Sequence, residues 1–174
     1  MSLFKKLKEN QKGFTLVELL VVISIIGILA TLLLLQLGVA RQRARDAARI
    51  AHINQVRTAL ELYFDDNGEY PEIATYAGLG AVLATKYLTQ LPADPLSAGT
   101  YVYKYAYDPA GTPTKYHIWA ELEQSSSAIK GDGDINSSAW AGGDGKYDAS
   151  VAATTEACAS STTIDCLYDQ GQSQ

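Results

Sequence analysis

Lys12-Gly13-Phe14-Thr15-Leu16-Val17-Glu18-Leu19-Leu20 opens an apolar run that continues to Ala40 with one charge, Glu18. Roughly 25 apolar residues suffice to span a bilayer as a helix. Lys5, Lys6, Lys8 and Lys12 precede the run. An acidic residue at mid-bilayer costs roughly 2.5–3.5 kcal/mol on insertion scales, and less near the interface. A chain that keeps Glu18 there is expected to use it. A secretory signal peptide would also set a basic segment before an apolar run. Here the run is too long for one, and no A-x-A-like site follows it. The small residue, Gly13, stands before the run instead. Cleavage after Gly13 would leave the helix on the mature chain, with Phe14 as its new N-terminus.

The helical pattern does not stop at Ala40. Ile50, Ile53, Val56, Leu60, Tyr63 and Phe64 recur every three to four residues and mark one apolar stripe. Arg41, Arg45 and Arg49 share a face, with Asp46 in reach of Arg45 and Arg49. Asp66-Asn67-Gly68 supplies a left-handed C-cap, and Pro71 forbids continuation. One helix from Phe14 to Asn67 would be roughly 80 Å long at 1.5 Å per residue. Its first half has only lipid or other copies of itself to pack on. Its second half can cover a sheet.

The net charge of −5 conceals an asymmetry. Of the 19 acidic residues, only Glu9, Glu18 and Asp46 precede Arg57, so a basic stem carries an acidic head. The arginines admit a nucleic-acid reading; the plainer one, a solvated or subunit-facing helix surface, is the expectation. Lysines flank the apolar run on one side and arginines on the other, so charge alone orients it poorly. The lysine end is placed in the cytoplasm because Cys158 and Cys166 read as a disulfide of an exported domain. Such a short loop is worth about 2–3 kcal/mol in the chain-entropy model. Cys-x7-Cys is not a zinc spacing, and no histidine is near.

In residues 68–174 the periodicity changes. Leu79–Leu88 reads as one or two helical turns, and Leu91-Pro92-Ala93-Asp94-Pro95 as extended. Tyr101, Tyr103, Tyr105 and Tyr107 alternate with smaller or polar residues, as in a strand. Asp108-Pro109-Ala110-Gly111 is a turn. A second strand puts Tyr116, Ile118, Ala120 and Leu122 on one face, with His117, Trp119, Glu121 and Glu123 on the other. The apolar face suits the helix stripe. The tyrosines are a stacking platform or, as expected here, half against the helix and half at a subunit contact. A third strand belongs somewhere in 128–150. Gly131-Asp132-Gly133-Asp134-Ile135-Asn136 alternates oxygens as a hard cation requires. Ser137 and Gly143 stand where an EF-hand needs glycine and glutamate, so it is not an EF-hand. Asp144 and Asp148 could complete a different calcium site; the rival reading is a surface loop. Residues 149–163 are low-complexity Ala/Ser/Thr, expected to be irregular. Neither His52 nor His117 has a neighbour in sequence suggesting a nucleophile–base pair, and no phosphate-binding glycine motif occurs. No catalytic residue and no enzymatic activity are expected.

Lys12 through Ile23 resembles the class III signal of type IV pilins and type II secretion pseudopilins. Tyr63 through Pro71 resembles the Y-x-x-x-N-G-x-Y-P helix end of these proteins, and Leu91–Pro95 their L-P-x-D-P segment. The resemblance implies prepilin peptidase cleavage between Gly13 and Phe14, N-methylation of Phe14, and a filament-assembly role for Glu18. It also implies that the Cys158–Cys166 loop faces partners, and that a structural calcium, the sole cofactor considered, draws on Asp132, Asp134, Asn136, Asp144 and Asp148. Many of these pilins have a mid-helix proline; Leu32–Leu37 has none, leaving Gly27 and Gly38 as weak points. The implied organisation is α+β: leader 1–13, membrane and filament-core helix 14–40, amphipathic helix 41–67, and a head 68–174 with a small antiparallel sheet. The implied function is a homo-oligomeric type IV pilus-like filament for adhesion, motility or DNA uptake, built at the inner membrane with the head outside. The alternative is a major pseudopilin of type II secretion with a periplasmic filament; a signal-anchored binding module is third. A peptidase, an ATPase and a membrane platform are the implied partners, and nucleic acid is one only through DNA uptake.

Overall fold

The computed structural model describes residues 13–84, 86–152, 158 and 166–173. The leader and most of the Ala/Ser/Thr stretch lie outside the described residues. The chain divides into two compact units, Met1–Ala40 and Arg41–Gln174. Helix α1 spans Leu16–Asn67.

In the first unit, the described side chains from Phe14 to Ala40 are all exposed. The segment is helical because it is rich in Leu, Ile, Val and Ala and has no proline. Its apolar residues surround the helix instead of forming one stripe, as expected of a segment whose solvent is not water. By length and composition it can cross a membrane.

In the second unit, the buried positions of α1 are Asp46, Arg49, Ile53, Val56, Ala59 and Leu60. Their steps of three and four residues place them on one face. The helix ends where expected. Gly68 adopts φ of 77°, and its N–H donates to the Phe64 carbonyl at 2.7 Å, the left-handed cap that glycine takes without a Cβ penalty. A short 3-10 turn, Tyr76–Gly78, leads into α2, Leu79–Leu83.

The sheet has four antiparallel strands: β1 Lys104–Asp108, β2 Lys115–Glu121, β3 Gly142–Gly143 and β4 Leu167–Gln172. Their spatial order is β3-β1-β2-β4. Tyr105 faces Ile118 in the hairpin register, and Trp119 faces Asp169 across β2 and β4. One apolar cluster joins Ile53, Val56 and Leu60 of α1 with Tyr105, Tyr107, Tyr116, Ile118, Ala120, Leu122 and Tyr168. The second unit is thus α+β, with a helix over one sheet face.

Four details depart from the expectations. β1 begins at Lys104, so Tyr101 and Tyr103 precede it; Ser97 and Gly99 both adopt positive φ and turn the chain there. Tyr103, Tyr105 and Tyr107 all belong to the core, not half to a subunit contact. The other face of β2 is buried too, since His117, Trp119 and Glu121 are at most 3 % exposed. The segment from Ile135 to Ala149 covers it: Trp119 Nε1 donates to the Gly145 carbonyl at 2.8 Å, and Ala149 packs on Trp119. Finally, a fourth strand, β4, follows the stretch expected to be irregular. Of that stretch, Ala149–Ala152 form a short helix, α3.

Candidate functional site

The start of α1 carries the first candidate site. Phe14 is 82 % exposed and Gly13 has open space where a Cβ would stand. Thr15 caps the helix. Its N–H and its hydroxyl donate to Glu18 Oε2 at 2.8 and 2.7 Å, and the Glu18 N–H approaches Thr15 Oγ1 at 3.3 Å. This is a capping box, which satisfies orphan donors at a helix start. Glu18 therefore has hydrogen-bond partners within its own chain, although no cation pairs with it among the described residues. The signal was present in the sequence as Thr15-Leu16-Val17-Glu18 before an apolar run.

A second constellation lies at the start of the head half of α1. The Arg49 guanidinium, with a fully buried side chain, forks onto Asp94 at 2.6 and 3.1 Å. Its Nη1 also reaches Asp46 at 2.7 Å and Glu123 at 2.8 Å. Arg45 Nε donates to Glu123 at 2.6 Å, and Arg49 lies 4.6 Å from the Tyr101 ring centre. Two cations face three carboxylates, and backbone donors supply the balance. Asp46 accepts from the N–H groups of Glu123 and Gln124, and Asp94 from those of Leu96 and Ser97. Burial alone would lower the Arg49 pKa, but its bonds to Asp94, Glu123 and Asp46 outweigh it and raise the value. The hydrogen bond from Arg45, aided by Arg49, lowers that of Glu123 despite burial. The Asp of Leu91–Pro95 thus ties the connector to the helix. Asp46 pairs with Arg49, whereas the partner of Arg45 is Glu123.

Sequence reasoning missed a third cluster. His117 Nδ1 lies 2.7 Å from Ser137 Oγ, and Nε2 lies 3.0 Å from Asp169 Oδ2. All three residues are at most 1 % exposed. The trio has the composition of a hydrolase triad, but its serine hydroxyl accepts the Tyr147 N–H at 3.0 Å and is sealed from solvent. It fastens the 135–149 segment to β2. Asp169 also accepts the N–H groups of Gly133, Asp134 and Ile135 at 2.9–3.1 Å.

The five residues assigned to calcium are not brought to one point. Asp144 accepts from the Tyr105 N–H and Lys104 Nζ. Asn136 donates to Asp148 at 2.7 Å. Asp132 Oδ2 accepts the Asp169 N–H at 3.1 Å, while its Oδ1 is buried without a hydrogen-bond partner. Burial, and then the neighbouring charge of Asp169, push the Asp132 carboxyl up to about 7. Among the described residues no group of three acidic, His or Cys side chains is disposed to hold a metal. Cys158 and Cys166 form the expected disulfide.

The prokaryotic N-terminal methylation motif family matches residues 8–34. The type IV wide pilus major component PilA4 of Thermus thermophilus is 49% identical over 62 residues, 36% of this chain and 47% of that protein. Fimbrial protein EcpC of Eikenella corrodens is 40% identical over 49% of this chain and 56% of its own length. Type II secretion system core protein G of Pseudomonas aeruginosa is 34% identical over 109 residues, 63% of this chain and 75% of that protein. The chain thus spans about half the length of the first two relatives and three quarters of the third.

Proposed function

The chain belongs to the family of type IV pilins and type II secretion pseudopilins, and on that premise we propose that it is a structural subunit of a type IV pilus-like filament. The observation that carries this reading is the exposed apolar stretch from Phe14 to Ala40, helical from Leu16, with one carboxylate in its first turn. Among the described residues of its own unit, nothing covers that surface. Lipid covers it first, and the same helices of other copies cover it in the filament. A prepilin peptidase cuts after Gly13 and methylates Phe14. The new amine, or a neighbour's, then pairs with Glu18 and sets the axial register, because a charge left unpaired in an apolar bundle is costly. The leader stays inside and the head outside the inner membrane, and an ATPase and a membrane platform drive assembly. Catalysis forms no part of this reading.

The second reading, a major pseudopilin of type II secretion, is supported by the longer match to core protein G and by the role of Asp94. Electron microscopy of sheared surface material separates the two, with long fibres expected for a pilus. Mass spectrometry should find a mature chain that starts at methylated Phe14; an intact leader overturns the processing. A structural calcium is proposed only at the Asp132 end of its loop, where Oδ1 has spare capacity. Chelation should then lower the melting temperature of the head, and an unchanged melt rejects it.

A further inference from the structure

The five arginines of α1 fall into two groups. Arg45 and Arg49 are committed to Glu123, Asp46 and Asp94, and Arg57 donates to Gln170 at 2.8 Å. Arg41 and Arg43 are exposed and have no hydrogen-bond or ion-pair partner among the described residues. They are also the two nearest in the chain to the apolar run: Arg41 follows Ala40 directly, and Arg43 lies within one helical turn of it. A groove of about 280 Å³ adjoins Arg43, with Ala47 and Ile50 as apolar lining and the exposed Ser125 at its edge. Ser125 makes no hydrogen bond within the described residues. The carboxylate in the groove wall, Asp46, is compensated by Arg49 and two backbone donors. It does not oppose an anion as a bare charge would. Guanidinium groups match phosphate oxygens in pairs.

We propose that Arg41 and Arg43, with the groove beside Arg43, hold phosphate groups of anionic phospholipids at the membrane surface where the apolar run ends. This rests on the membrane-anchored reading above. Two unpaired cations at that depth favour anionic headgroups, about fivefold for each and about twenty-five-fold together. They retain the subunit in the bilayer until assembly, and leaving the membrane means giving up these contacts.

The test uses the full chain reconstituted in phosphatidylcholine vesicles containing a minority of phosphatidylglycerol. After gentle detergent extraction, mass spectrometry reads the phosphatidylglycerol retained with the chain relative to phosphatidylcholine. Enrichment is expected, and Arg41→Gln with Arg43→Gln should reduce it about twenty-five-fold. Arg57→Gln, which removes one positive charge further along α1, should leave it unaltered. Equal enrichment in the double variant, or equal loss in Arg57→Gln, overturns the proposal. Displacement of the lipid by equimolar glycerol 3-phosphate would assign the site to free phosphate instead and overturn the lipid assignment. Failure of the chain to enter even neutral vesicles would overturn the membrane reading, and this proposal with it.

Discussion

Arg49 shows how a buried charge cluster acts on stability. Replacing an entire buried ion cluster by well-packed apolar side chains is often neutral, so its presence alone is weak evidence of stabilisation. Removing one partner is different. Arg49→Met leaves Asp94 and Asp46 buried without their cation, and the expected loss is about 3–5 kcal/mol. Arg49→Lys keeps the charge but cannot fork onto Asp94, and should lose about 1–3 kcal/mol. Urea unfolding of the detergent-solubilised chain, followed by near-ultraviolet circular dichroism of the tyrosine-rich head, measures both. Glu123 makes the same cluster pH-dependent. Arg45 and Arg49 lower its folded pKa, so the folded state binds fewer protons than the unfolded one. Its contribution is complete above the ordinary glutamate value of 4.5 and is lost as pH falls through the depressed value. A melting temperature that falls on the acid side is expected, and Glu123→Gln should flatten that limb while lowering stability at neutral pH.

At the scale of elements, the α1 stop is the sharpest sequence signal. Gly68→Ala forces a Cβ into a left-handed residue and should cost about 1 kcal/mol in the same unfolding measurement. Gly143→Ala should cost more. It has φ of 97°, and its Cβ would stand 2.3 Å from the Tyr105 carbonyl oxygen. That contact also explains what could not be read. β3 is two glycines pressed against β1, and a strand without side chains has no period to detect. β4 was hidden because Asp169 and Gly171 look like turn residues, yet Asp169 is buried beneath the three N–H groups it accepts. The helix stripe and the apolar face of β2 were legible because each meets one partner surface with its regular period. The second face of β2 was not, since His117, Trp119 and Glu121 are buried by a loop whose course depends on Ser137 and Gly145, contacts distant in sequence. The partners of the acidic loop were not legible for a similar reason: residues close in sequence, such as Asp144 and Asp148, accept from different parts of the head.

For the whole molecule the open question is which property of Glu18 assembly uses. The carboxylate has two separable roles. As the last residue of a capping box, third in the helix, it accepts from Thr15, a contribution of about 1 kcal/mol to the helix start. As a charge in an apolar bundle it demands a counter-charge, and leaving one partner of such a pair unmatched costs about 3–5 kcal/mol. Glutamine can fill the capping box but carries no charge. Glu18→Gln should therefore insert, be cut after Gly13 and keep its helix start, yet fail to form filaments. Glu18→Ala should lose both roles and also fail. Thr15→Ala, which weakens the cap and leaves the charge, should still assemble, with a modest loss at most. Mass spectrometry of the mature N-terminus reads processing, and electron microscopy reads filaments. Filaments of normal number from Glu18→Gln would show that capping alone suffices, and the charge-pair account of register would be wrong. The larger energy belongs to the charge, so the glutamine variant, not the alanine one, carries the decision.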